Sequence, residues 1–129
     1  MNEVKYLGTW KAGEGRLEVQ LTMIGTAGNG LCGLISGGDL SHVGGTAYAV
    51  PRPKSSGVGM TADISTICGP GHKDVYCAQP LAKYISISTG ETVSLTVGLH
   101  VDNASAEDLE QLNINCQTAV ENFVRAYSE

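Results

Sequence analysis

Strict alternation of apolar and polar residues from Arg16 to Met23 is the feature that most limits how this chain folds. A period of two predicts an extended strand with one buried face and one wet face. The apolar members of this stretch are Leu17, Val19, Leu21 and Met23. A similar alternation from Thr92 to Val101 predicts a second strand of the same kind.

Turn signals divide the first half of the chain into further strands. The glycine-rich run 25–30 predicts a turn that joins the first strand to a flatter one over 31–36, as an antiparallel hairpin. Two more strands are predicted over 42–50 and 59–67, on either side of an exposed connection at 51–57, and the four together form a meander. Gly44 and Gly45 suggest a bulge, or a ligand lying against the backbone.

Helical periodicity occurs twice in the second half. The first helix is expected to become regular only at about Pro80, because proline suits the first position of a helix better than its interior. The last helix opens in capping-box style, with Ser105 as N-cap and Asp108 three residues later. Its predicted apolar stripe is Leu109, Leu112, Cys116, Ala119, Val120, Phe123 and Val124. This order of elements predicts an α+β fold, a largely antiparallel sheet of about five to six strands with two helices.

Length and composition limit the class of protein. A chain of 129 residues suits a single domain spanning residues 1–129. The net charge of −5 argues against a nucleic-acid partner. There is no signal peptide at the start and no run of about 18 apolar residues, so we expect no membrane span and a cytoplasmic location. Four widely spaced cysteines favour reduced thiols over a disulfide framework or a zinc finger.

The three histidines all fall at element boundaries: His42, His72 and His100. If those turns share one edge of the sheet, the histidines would gather with Asp39 and Asp102 in a cluster suited to a divalent metal or a phosphate. The turn 69–74 carries His72 and Lys73 after two glycines, and it is either an anion-binding loop or a plain strand end with a solvated lysine.

No G-x-S-x-G elbow, Walker loop or H-E-x-x-H motif occurs in the sequence. An enzyme is therefore not favoured, although a small metal-dependent hydrolase using His42, His72 and His100 stays open. A third possibility is a module that binds other proteins through an apolar sheet face.

Three segments, 37–44, 69–74 and 98–104, together resemble a known family in their order and spacing. They are similar to the small LpdD-like proteins that are encoded beside UbiD-type (de)carboxylases such as gallate decarboxylase and are described as prenylated-flavin chaperones. The resemblance spans about residues 13 to 125. It implies a homodimer, with a fold similar to that of proteasome assembly chaperones. Such a protein binds prenylated FMN (or FMN) and helps a UbiD-type decarboxylase acquire it, as a carrier and not a catalyst.

The resemblance also implies a set of cofactor-binding residues, carried over by motif. From the residues themselves, a divalent metal bridging the flavin phosphate to His and Asp side chains is an option, with His42, His72 and His100 as the candidate metal ligands. None of the aromatic residues lies inside the three segments, so contacts to the flavin ring are expected from glycine backbone, aliphatic side chains or a second subunit. The implied cofactor-binding residues are Gly38, Asp39, His42, Gly71, His72, Lys73, His100 and Asp102, with Arg16 as a further candidate from the segment 13–16.

Overall fold

The computed structural model of the chain describes residues 3–69 and 75–129. Six strands and two α-helices follow one another, with a short 3₁₀ turn at Gly15–Leu17. The strands are β1 (Lys5–Ala12), β2 (Val19–Gly25), β3 (Leu31–Gly38), β4 (Gly45–Pro53), β5 (Met60–Cys68) and β6 (Val93–His100). The helices are α1 (Val75–Thr89) and α2 (Ala106–Tyr127). Within the described residues, neither helix is long and apolar enough to cross a bilayer.

All six strands form one sheet in the order β1-β2-β3-β6-β4-β5. Only the β3–β6 pair is parallel, so the predicted α+β fold with a largely antiparallel sheet is confirmed. The hairpin of β2 and β3 is also confirmed. The meander is wrong, because β6 enters between β3 and β4 and separates them. The last strand thereby joins a three-stranded half, β1 to β3, to the β4–β5 hairpin.

Both helices pack on one face of this sheet, where α1 covers β4, β5 and β6 and α2 covers β1 and β2. The alternation of β2 places Val19, Leu21 and Met23 in the core with no exposed surface. The predicted stripe of α2 is buried from Leu112 to Val124, whereas Leu109 in the first turn is 54% exposed. We call the opposite face of the sheet the open face, since no element of the described ranges covers it.

Two local predictions need correction, and one strand is missing from the predicted elements. Arg16 and Leu17 lie in the 3₁₀ turn and not in a strand, which starts at Val19. The helix α1 begins at Val75 and contains Pro80, so it does not wait for Pro80 to become regular: the missing N–H of this proline removes one intrahelical hydrogen bond without ending the helix. The sequence pattern also does not single out β1, where a bulge between Tyr6 and Gly8 interrupts the alternation.

The end of α2 is fastened to the sheet through Tyr127 and Glu91. The Tyr127 hydroxyl donates a hydrogen bond to the Glu91 carboxylate, which also accepts one from the backbone N–H of Gly30 at 3.0 Å. Burial, and then the neighbouring Glu91 carboxylate, raise the pKa of Tyr127 to about 12. The contact therefore ties the last helix to the β2–β3 turn.

Tyr127→Phe is expected to destabilise the protein by about 1–2 kcal/mol at neutral pH, through loss of a hydrogen bond to a charged group. The raised pKa adds a pH signature. An unfolded tyrosine ionises near pH 10, so stability from this group is complete below about pH 10 and is lost as the pH rises towards 12. Urea unfolding at a series of alkaline pH values measures both effects. The exposed Tyr84 supplies the control Tyr84→Phe, and an unchanged alkaline slope in Tyr127→Phe would contradict the assignment.

Candidate functional site

Four chain segments meet at one end of the sheet. The strands β3 and β6 run parallel, so Asp39 and Asp102 follow their ends on the same side. The 3₁₀ turn between β1 and β2 brings Arg16 to the same place. The chain entering β4 lies beside them, because the N–H of Gly44 donates to the Val97 carbonyl at 3.1 Å.

Arg16, Asp39, His100 and Asp102 form a hydrogen-bonded group that we call the polar cluster. Arg16 Nη2 donates to Asp39 Oδ2 at 2.8 Å and to the Asp102 carbonyl at 2.6 Å. The same Asp39 oxygen accepts the backbone N–H of Asp102 at 2.8 Å. His100 Nε2 lies 2.7 Å from Asp102 Oδ1, and the N–H of Asp39 donates to the His100 carbonyl at 2.6 Å. One carboxylate thus joins three separate stretches of chain.

The electrostatics of the cluster keep Asp39 ionised. The N–H of Asp102, and then the Arg16 guanidinium, lower the pKa of Asp39 below its usual value, while the hydrogen bond to Asp39 raises the pKa of Arg16. The side chains remain accessible to a ligand, since those of Arg16 and His100 are 49% and 54% exposed. The cluster therefore combines fixed geometry with open access.

Glycines allow the backbones to approach this closely. A Cβ on Gly38, whose φ is +75°, would lie 2.3 Å from the His100 carbonyl oxygen. A Cβ on Gly98 would lie only 1.4 Å from the His42 carbonyl oxygen, so the backbone of His42 crosses directly over β6. Gly44 and Gly45 are buried against the sheet. The backbone beside these glycines is therefore the protein's own: Gly44 bonds to Val97, and its carbonyl accepts the N–H of Gly69 at 2.9 Å.

Of the residues singled out in the sequence, the structure brings Arg16, Gly38, Asp39, His100 and Asp102 together. The His42 backbone lies over Gly98 at the same end, with Nδ1 of its ring 3.2 Å from the Leu40 carbonyl oxygen. Gly71, His72 and Lys73 lie outside the described residues, so the expectation that His72 sits near His42 or His100 stays a prediction. Within residues 3–69 and 75–129, no group of three or more His, Cys, Asp or Glu side chains is arranged to hold a metal ion.

The sequence pattern missed Asn115, which holds the 3₁₀ turn beside the cluster. Asn115 is 5% exposed, and its Nδ2 donates to the Leu17 carbonyl at 2.8 Å while Gln111 donates to its Oδ1. Gly13 passes so close that a Cβ there would lie 2.2 Å from Asn115 Nδ2. A polar residue inside the apolar stripe of α2 was the available signal.

Asn115→Ala is expected to cost about 1–3 kcal/mol, because it leaves the partly buried Leu17 carbonyl without this donor. It should also loosen the turn that carries Arg16. Thermal or urea unfolding measures the first effect, and amide hydrogen exchange at residues 15–18 measures the second. Asn113→Ala, an exposed position of the same helix, is the matched control. Equal exchange in the two variants would show that Asn115 does not hold the turn.

Comparison with known proteins adds two findings. The profile of the prenylated flavin chaperone LpdD-like domain matches residues 13–128. Among solved structures, the fold is similar to that in the crystal structure of a novel chaperone complex for yeast 20S proteasome assembly, with a TM-score of 0.62 and 14% sequence identity. That match covers 97% of this chain and 95% of the other. No curated protein matches the sequence.

Proposed function

The chain belongs to the prenylated flavin chaperone LpdD-like family, and from this premise we propose that it binds prenylated FMN and delivers it to a UbiD-type decarboxylase. The polar cluster is the observation that carries the proposal. It presents an arginine and a histidine side chain on a surface built from closely packed glycine backbone. Hydrogen-bond donors of this kind suit the polar groups of a flavin nucleotide.

The phosphate of the cofactor needs positive charge that the cluster alone does not supply. The positive charge of Arg16 is balanced by the Asp39 carboxylate, and the His100 ring is paired with the Asp102 carboxylate. We assign the missing charge to Lys73, with His72 beside it. Lys73 follows Gly69 by four residues, so chain length alone keeps the two Cα atoms within about 14 Å, and Gly69 is bonded to Gly44 beside the cluster. The start of α1 at Val75 adds the favourable end of a helix dipole for an anion.

The composition of the cluster favours a carrier over a catalyst. Two carboxylates, one guanidinium and one imidazole hold one another in place, and the cluster contains no hydroxyl, thiol or amine nucleophile. Its partly exposed side chains suit a ligand that must later be released to another protein. Arg16 and His100 would orient the cofactor, and Asp39 and Asp102 would fix those two side chains.

Binding is tested by co-expression with a flavin prenyltransferase and anaerobic purification, with metal supplied. We expect bound prenylated FMN in the absorbance and mass spectra, and we expect its loss in the Lys73→Ala and His100→Ala variants. Lys54→Ala is the matched lysine control, because Lys54 lies on the β4–β5 connection. A colourless wild-type protein without flavin would refute the proposal, and so would full retention in both site variants.

Delivery requires a separate measurement. The loaded protein is mixed with a UbiD-type apo-decarboxylase, and decarboxylation is compared with that obtained from the same quantity of free prenylated FMN. We expect faster activation by the loaded protein and no decarboxylation by the loaded protein alone. Activation no faster than with free cofactor would leave a flavin-binding protein and remove the delivery role. Turnover by the chain alone would overturn the assignment as a non-catalytic carrier.

A further inference from the structure

A groove runs between the two helices, on the side of the sheet away from the open face. It consists of two cavities of about 330 and 180 Å³, which share three lining residues: Pro80, Leu81 and Gln117. The larger cavity extends to Tyr84 and Glu121, and the smaller one extends to Cys77 and Asn113. Because a helix rises about 1.5 Å per residue, the groove follows α2 for about 12 Å.

The floor of the groove is apolar. Leu81 and Val120 form this floor, and both side chains belong to the core of the protein. Large apolar side chains also stand in water beside it, since Tyr84 on α1 is 42% exposed and Ile114 on α2 is 45% exposed. Apolar side chains gathered around a concave site indicate a place where another molecule binds.

The rim that α2 contributes to the groove is acidic. Glu110, Gln117 and Glu121 follow one another at spacings of seven and four residues, so they lie on the same side of the helix. Both glutamates are exposed, and within the part of the chain that the structure describes neither forms an ion pair. Arg125, one turn beyond Glu121, donates to the Asn122 side chain at 3.2 Å. The rim therefore holds negative charge that no neighbouring described residue neutralises.

The rim that α1 contributes offers a hydrogen-bond acceptor. Pro80 is exposed and lines both cavities. Because proline has no N–H, the Tyr76 carbonyl lacks its intrahelical donor. The only charged residue of α1 is Lys83, which lines neither cavity. Lysine and arginine side chains carry several donors and no acceptor, so they complement both this carbonyl and the glutamates on the other rim.

Charge and shape together select the occupant. We propose that the groove binds a cationic amphipathic helix of the enzyme that receives the cofactor, an inference that rests on the delivery role proposed above. Its apolar side chains would lie on the floor, and its lysine or arginine side chains would lie beside Glu110 and Glu121. These two glutamates are about 16 Å apart along α2, which a partner helix of about eleven residues spans. An acidic rim disfavours nucleic acid and anionic lipid surfaces, because both bind basic residues.

The groove begins at the end of the sheet where the polar cluster lies. The end of β5 is at this end, because the N–H of Gly69 donates to the Gly44 carbonyl. Helix α1 leads from there back to the start of β6, and α2 starts four residues after Asp102. Both helices therefore begin near the cluster and run away from it. A partner helix in the groove would hold its enzyme beside the candidate site and leave the cluster uncovered.

The test measures the affinity of a UbiD-type apo-decarboxylase for the protein without flavin, by titration calorimetry. Glu110→Lys combined with Glu121→Lys reverses the charge of the rim at two exposed positions. We expect the dissociation constant to rise at least about tenfold, because two attractive contacts become repulsive. Glu3→Lys combined with Glu129→Lys makes the same change in net charge at two exposed positions near the chain termini, and it should leave the affinity unchanged. Circular dichroism confirms that each variant is folded.

A photo-crosslinking residue at position 117 supplies a second measurement that does not depend on charge. We expect it to join the decarboxylase through a helical segment that carries lysine or arginine, as read by peptide mass spectrometry. The same residue at position 56, on the exposed β4–β5 connection, should give no cross-link.

The outcomes separate this inference from the proposed function. Unchanged affinity after reversal of the rim, or equal cross-linking at positions 117 and 56, overturns the groove as the docking site and leaves delivery standing. A decarboxylase that does not bind the wild-type protein overturns both the groove and the delivery role. Cofactor binding is judged independently, since the flavin content of the rim variant after co-expression should equal that of the wild type.

Discussion

Gly98→Ala is expected to displace the His42 segment from β6 and to abolish retention of prenylated FMN. The added methyl group would lie 1.4 Å from the His42 carbonyl oxygen, whereas real Cβ contacts stay above 3.0 Å. The backbone fixes the position of the Cβ, and the carbonyl is itself backbone, so no side-chain rotation relieves the clash. We expect a loss of about 3 kcal/mol or more in the free energy of unfolding, at the upper end for overpacking. Urea unfolding and the flavin content after co-expression measure the two effects.

Gly33→Ala is the matched comparison on the neighbouring strand β3. A Cβ there would lie 2.4 Å from the Met23 sulfur, which is the flexible part of a side chain and can move. We therefore expect a smaller loss, about 1 kcal/mol, with flavin retention preserved. If the two variants lost equal stability and both kept flavin, the close approach of His42 to β6 would have no role in the site.

Asp39→Ala is expected to reduce the affinity for prenylated FMN by about tenfold, the equivalent of one lost hydrogen bond to a charged group. Asp39 holds the Arg16 side chain and the backbone of Asp102 through one oxygen, so its removal frees two parts of the cluster together. Because its pKa is lowered, the carboxylate stays ionised in the folded protein at neutral and mildly acidic pH. The contribution of the Asp39 carboxylate to folding stability is present above the pKa of an unfolded aspartate. It disappears as the pH falls through the lowered pKa of the folded protein.

The pair of Arg52 and Asp63 provides the control, since it is also an exposed arginine–aspartate ion pair, with Nε within 3.0 Å of both carboxylate oxygens. It lies on β4 and β5, away from the cluster. Asp63→Ala should leave cofactor affinity unchanged, as measured by fluorescence titration with FMN and by flavin content after co-expression. An equal loss in both variants would assign the effect of Asp39 to overall charge and not to the cluster.

Local patterns predicted the parts of the fold that local forces determine. The alternation that places Val19, Leu21 and Met23 inside the core follows from the geometry of a single strand. The capping box at Ser105 and Asp108 is present as predicted, because its two hydrogen bonds join residues three apart. The structure brings Asp39, His100 and Asp102 to one end of the sheet, whereas the place of the His72 turn there stays a prediction.

Long-range pairing could not be derived from the sequence. Nothing in residues 93–100 signals insertion between β3 and β4, since strand order depends on contacts between distant segments. Arg16 fitted the polar face of a strand by alternation, and only the 3₁₀ turn carries it to Asp39. Asn115 stands out as a polar residue in the apolar stripe of α2, but its partner, the Leu17 carbonyl, is 98 residues away along the chain and could not be identified from the sequence.

The insertion of β6 also sets when the polar cluster can form during folding. Arg16 and Asp39 belong to the first half of the sheet, His42 leads into the β4–β5 hairpin, and His100 and Asp102 follow the strand that joins the two. Until β6 is in place, the two halves share no strand pairing, and such non-local contacts form late. An incomplete chain or a folding intermediate would consequently hold no cluster, and a carrier of this kind would take up its cofactor only after the whole domain has folded.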